Sequence, residues 1–128
     1  MMKSPLLPPV PTEEDDLLVR SYVVHGIMLK MLRRDIDTLH TLSLKMPTLY
    51  IRSLGLIEKE TSRNLWSVRQ RLRVHGIRIS EETRKSGGIE AVFMCRGYHR
   101  TLWLSWELIQ KEAMNRLHRY SGSNLAAY

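Results

Sequence analysis

The sequence predicts a mainly α protein, an antiparallel three-helix bundle with a β-hairpin inserted between its second and third helices. Three observations predict it. Two long segments carry apolar residues at helical spacing, a third such segment lies near the C-terminus, and a short stretch between the second and third switches to alternation of apolar and polar residues. At 128 residues the chain is large enough for one modest core. The reading is therefore a flexible proline-rich lead-in over 1–11, a single helical domain over 12–120 and a loose tail over 121–128.

Thr12 reads as the N-cap of the first helix. Asp15, three residues on, completes a capping box, and Glu13 to Asp16 suit the positive end of the helix dipole. The helix is expected to run to about His40, with a seam of Leu18, Tyr22, His25, Leu29, Leu32, Ile36 and Leu39, alternately four and three residues apart. His25 sits mid-seam, where a polar ring needs a partner across the bundle, with Tyr50 or Thr61 in reach on this reading. Met46 before Pro47 is pushed toward extended geometry, and Pro47 suits the first turn of a second helix. That helix should run from Pro47 to about His75 with Tyr50, Leu54, Ile57, Thr61, Leu65, Val68 and Leu72 inward, and Gly76 closing it. Ile77 to Ser80 and Ile89 to Cys95 read as the two strands of a hairpin, joined by a charged loop over Glu81 to Gly88. Gly97 ends the hairpin. The third helix is then expected from Tyr98 to Tyr120, with Leu102, Trp106, Ile109, Ala113, Leu117 and Tyr120 inward.

Composition narrows the function classes. Apolar residues make up 43% of the chain, too many for a disordered protein. The lone Cys95 permits no intrachain disulfide and suggests a reducing, cytoplasmic setting. Four prolines before residue 12 argue against a secretory signal, and no run approaches the ~20 apolar residues of a membrane span. The net charge is +7, but residues 1–19 carry −3 and the remainder +10. A basic body of this kind favours anionic partners.

Leu44-Lys45-Met46-Pro47 with Tyr50, entering the second helix, and Cys95-Arg96-Gly97-Tyr98-His99, entering the third, resemble small uncharacterised helical proteins of Bacillus-type spore-formers, of the YhjD kind. The resemblance implies a bacterial, intracellular helical protein. The family carries no established activity, so no functional residue follows from it.

The strongest functional signal is a basic stripe on the second helix. Arg52, Lys59, Arg63, Arg69 and Arg73 fall on the face opposite Leu54, Leu65 and Leu72, with Trp66 in the same sector. Guanidinium groups around a planar aromatic suit a nucleic-acid phosphate backbone with a base against the ring. The plainer alternative is a solvated helix face with Trp66 covered by the hairpin or the N-terminal arm. A second candidate surface is the pair Leu104 and Leu108, opposite the core stripe of the third helix, which would serve a protein–protein adaptor or a homo-oligomer. Cys95 with His99 is read as a buried structural cysteine beside a histidine, because no third group orients them into a nucleophile–base pair. The five histidines lack ligand spacing, so no metal site, no cofactor, no catalytic residue and no small-molecule substrate is inferred. The expected role is non-catalytic binding, of nucleic acid through its phosphates first and of protein second.

Overall fold

The structure, a computed structural model, describes residues 7–126, with side chains described as far as residue 122. Residues 1–6 of the expected lead-in and 127–128 of the expected tail lie outside the described residues. The elements are α1 (Glu13–Thr41), α2 (Pro47–Val74), β1 (Ile77–Lys85), β2 (Gly88–Cys95), β3 (Tyr98–Ser105) and α3 (Trp106–Ala126).

Helix α1 starts on the capping box. Thr12 N donates to Asp15 Oδ2 at 2.8 Å, and Asp15 N donates to Thr12 Oγ1 at 3.4 Å. Helix α2 begins at Pro47, whose missing N–H is one the first turn would leave unpaired in any case. It ends before Gly76, which takes a left-handed φ of 69°.

The bundle reading is overturned at Tyr98. Tyr98–Ser105 is a third strand, so the insertion between the long helices and α3 is a three-stranded antiparallel meander, ordered β1-β2-β3. Arg96 (φ 51°) and Gly97 (φ 91°) are both left-handed. A two-residue turn with positive φ at both positions matches the twist of antiparallel strands and sends the chain straight back along β2. Leu102 and Leu104 then belong to an alternating strand and not to a helical stripe. The polar loop expected over Glu81 to Gly88 shrinks to Ser86 and Gly87, because the charged residues extend β1. Helix α3 accordingly starts eight residues late, at Trp106, where Ser105 Oγ accepts from Leu108 N at 3.1 Å. It continues through Ala126, so residues 121–126 are helical where a loose tail was expected. Nor is the described part of the lead-in loose, since the carbonyls of Pro8, Pro9 and Val10 accept from Tyr98 or Arg96.

Strand β2 is central and buries Ile89, Ala91, Phe93 and Cys95 on one face. These side chains meet Leu18, Val19 and Val23 of α1 and Val68 and Leu72 of α2, with Ile77, Leu104 and Ile109 completing the cluster. A second cluster joins Val24 and Met28 of α1 to Ala113 and Tyr120 of α3, with Ile57 and Leu117 against it. The sheet thus covers one end of the α1–α2 hairpin and α3 covers its middle. Gly88 makes the close contact between β2 and β3 possible: a Cβ there would lie 2.1 Å from the Leu104 carbonyl oxygen.

His25 is buried, and its partner is Tyr120, not Tyr50 or Thr61. Its Nδ1 lies 2.7 Å from the Ser21 carbonyl oxygen, which can only accept. Nδ1 therefore carries the proton and Nε2 accepts from Tyr120 Oη at 2.8 Å. Burial, with the Arg116 charge as a smaller cause, lowers the His25 pKa below its ordinary 6.5. The unfolded chain then binds a proton more readily than the folded one. Stability from this group is complete above pH ~6.5 and is lost as pH falls below it. Chemical denaturation from pH 7.5 to 5 should show a steeper loss for the wild-type protein than for His25→Gln. Parallel pH profiles would contradict the assignment.

Candidate nucleic-acid interface

Helix α2 lays one edge against α1 and the sheet and leaves the opposite edge in solvent. Thr61, Leu65, Val68 and Leu72 are buried, whereas Tyr50, at the start of the expected inward stripe, is exposed. Arg52, Lys59, Arg63, Trp66, Arg69 and Arg73 are all exposed. Trp66 has 63% of its surface open, so neither the sheet nor the described lead-in covers it. From Arg52 to Arg73 the stripe runs about 30 Å along the helix.

The six residues are not equivalent. Arg63 Nη1 pairs with Glu60 Oε1 at 3.1 Å, one turn back and exposed, a contact worth little in water. Arg69 bends to the α1 side, its guanidinium carbon 5.8 Å from the centre of the Tyr22 ring. Arg52, Lys59 and Arg73 form no ion pair among the described residues. At the C-terminal end of the stripe, Arg69 and Arg73 border a hollow of about 300 Å³ whose wall includes Tyr22 and Ile77. Tyr22 was legible in the sequence only as a seam residue of the first helix. It reaches the hollow beside Leu72, Ile77 and Ile79.

Leu104 is only 1% exposed and lies in β3 within the main core, and Leu108 is half-buried against the same cluster. The apolar partner face expected from this pair is therefore not a surface of the third helix. Period two places Leu104 inward beside Ile89, its neighbour across the ladder. Cys95 is fully buried, and desolvation, with the Asp15 charge second, raises its pKa. His99 pairs with Met94 in the ladder and so points to the other face of the sheet. No thiol–imidazole pair forms. Among the described residues no three His, Cys, Asp or Glu side chains gather so as to hold a metal ion, and no helix is long and apolar enough to cross a membrane.

The electrostatic setting of Trp66 can be read optically. It is the most exposed tryptophan, followed by Trp103 at 49%, while Trp106 is half-buried with its Nε1 donating to the Lys85 carbonyl. With Arg63, Arg69 and Arg73 within seven residues, Trp66 fluorescence should be quenched far more by iodide than by caesium. The difference should largely vanish in Trp66→Phe. Equal quenching by both ions would mean that the stripe does not act as a positive field.

Among known proteins, a family model described as YhjD protein matches residues 10–125 of this chain. No curated protein and no solved structure matches it.

Proposed function

The chain belongs to the YhjD protein family, and we propose that it is a non-catalytic binding protein of the bacterial cytoplasm that holds nucleic acid by its phosphates through the exposed face of α2. The observation that carries this reading is the open position of Trp66 between Arg63, Arg69 and Arg73. A ring that could have been covered, as aromatic surface usually is, instead faces solvent on the same face as these arginines. Bases stack on such a ring without regard to sequence, and the flanking guanidinium groups take the phosphates. Tyr22 beside Arg69 offers a second ring at the end of the same track. The body of the chain carries +10 over residues 20–128, which draws a polyanion toward it from a distance.

The test is affinity against salt. Three to five phosphate contacts, each contributing about −0.9 on duplex or about −0.7 on a single strand, predict a log–log slope of roughly −2 to −5. Arg63→Ala should weaken binding to all sequences alike, because a phosphate contact positions the protein and reads no base. Trp66→Ala should cost about 1–3 kcal/mol on single strands and less on duplex. Lys30→Ala, on α1, should change little. Absence of binding to DNA and RNA at low salt retires the proposal. Equal losses from Lys30→Ala and Arg63→Ala reduce it to general attraction by a basic protein.

A further inference from the structure

A groove of about 460 Å³ runs between α1 and α3, on the part of the α1–α2 hairpin that the sheet does not cover. Ile109 and Ala113, both buried, form its floor, and Ile27, Trp106 and Leu117 its half-buried walls. Met31 and Met114 stand at its lips, each 48% exposed. Three cations border it, Lys30 and Arg34 from α1 and Arg84 from β1. None of the three forms an ion pair among the described residues, and no carboxylate lines the groove.

Arg84 is there because of a bulge. The ladder register shifts between Ile79 and Glu81, leaving Ser80 unpaired. Beyond it Glu82 sits opposite Ala91 and Arg84 opposite Ile89, on the face that packs against the helices. The shift swaps Glu81 and Lys85 for Glu82 and Arg84 on the helix side of the sheet, where Arg84 stays exposed at the rim of the groove. Its guanidinium carbon is held 5.5 Å from the centre of the Trp106 ring. Glu82, on the same face, borders the neighbouring depression with Lys30 and pairs with none of these bases.

We propose that this groove binds a single-chain anionic amphiphile, a free medium-chain carboxylate, with its tail along Ile27, Ile109 and Ala113 and its head group among Lys30, Arg34 and Arg84. Three features select that chemistry. The volume falls in the range of about 300–1,000 Å³ used for small ligands. The α3 lining from Trp106 to Leu117 spans about 16 Å, the scale of an extended medium-length alkyl chain. Apart from Gln110 and the bordering cations, the lining offers no polar side chain. A peptide would bring backbone groups that need partners, whereas an alkyl chain needs none. Flexible thioethers at the lips adapt to such a chain.

Calorimetry with monomeric dodecanoate, below its micellar concentration, tests this on the full chain. Saturable binding is expected. Acetate, the head without the tail, and dodecyltrimethylammonium, the tail with the opposite charge, should bind far more weakly. Arg84→Gln and Lys30→Gln should each weaken dodecanoate by about tenfold, the effect of losing one charge-assisted contact. Met114→Glu, at an exposed lip, should abolish binding while circular dichroism stays unchanged. Arg63→Ala, on the α2 face, should bind dodecanoate normally, so failure here and failure of the nucleic-acid reading are separable. The proposal is overturned by equal affinity for the two amphiphiles, by a loss in Arg63→Ala equal to that in Arg84→Gln, or by lack of saturable dodecanoate binding. Binding to anionic vesicles without binding of the monomer overturns it too, since it would place the charge and not the groove in contact with lipid.

Discussion

Asp15 and Arg96 join four parts of the chain at one point. Asp15, in the first turn of α1, is 1% exposed, and its Oδ2 takes Arg96 Nη2 at 2.8 Å. The guanidinium has further partners: Nη1 donates to the His75 carbonyl at 2.6 Å, Nε to Pro9 and Nη2 to Val10. His75 Nδ1 closes the ring on Asp15 Oδ1 at 3.1 Å. The start of α1, the end of α2, the turn between β2 and β3 and the lead-in thus meet on two side chains. The Arg96 guanidinium, opposed by desolvation, holds the Asp15 carboxyl well below the usual carboxylate range. A buried carboxylate is tolerable only with such partners. The geometry has a local cost, because Arg96 must sit at a left-handed φ of 51° that disfavours residues with a Cβ. Gly76 answers it, since a Cβ there would lie 2.9 Å from Arg96 Cγ.

With that junction in place, the rest of the molecule follows from which surface covers the helical hairpin. The sheet is anchored at the Arg96 end and lies over Leu18, Val19 and Leu72. Strand β3 then brings the chain back beside the Ser86–Gly87 turn, where the Trp106 backbone N donates to the Gly87 carbonyl at 3.1 Å. Helix α3 runs the same way as α1, as the pairs Arg20–Glu112 and His25–Tyr120 require. Its apolar side closes over Val24 and Met28 and leaves the groove beside it. The two surfaces proposed for binding are therefore separate: one is the outer edge of α2, the other the seam between α1 and α3.

Much of this was legible in the residues, and the misreadings have physical causes. Both long helices were readable from period and caps, because Thr12 and Asp15 form the capping box and Pro47 opens α2 as their types suggest. The third strand was not, because Tyr98 to Tyr120 holds apolar residues that fit a helical stripe as well as a strand followed by a helix. Only Arg96-Gly97 could have decided it, and an arginine is an unusual residue for a left-handed turn position. Leu104 was misplaced for the same reason: assigned a helical period it faced solvent, and with the strand period it faces the core. The exposure of the stripe's bases needed only the helix and its inward side, while the exposure of Trp66 and the diversion of Arg69 to Tyr22 depend on what the neighbouring elements cover. The groove was not legible, because Arg84 reaches it through a bulge that no local pattern announces.

The fold hinges on the junction at Asp15. The direct measurement is a double-mutant cycle in urea unfolding with Asp15→Asn, Arg96→Gln and the two combined, set beside the more open pair Asp16 and Arg100, whose contact is 3.0 Å. If Asp15 and Arg96 act as one unit, either single change forfeits most of what the pair contributes, and the double variant is scarcely less stable than the worse single one. The Asp16–Arg100 cycle should be close to additive. Losses at Asp15 and Arg96 that simply add would contradict the account, because they would show two independent contacts where the structure has a single joint.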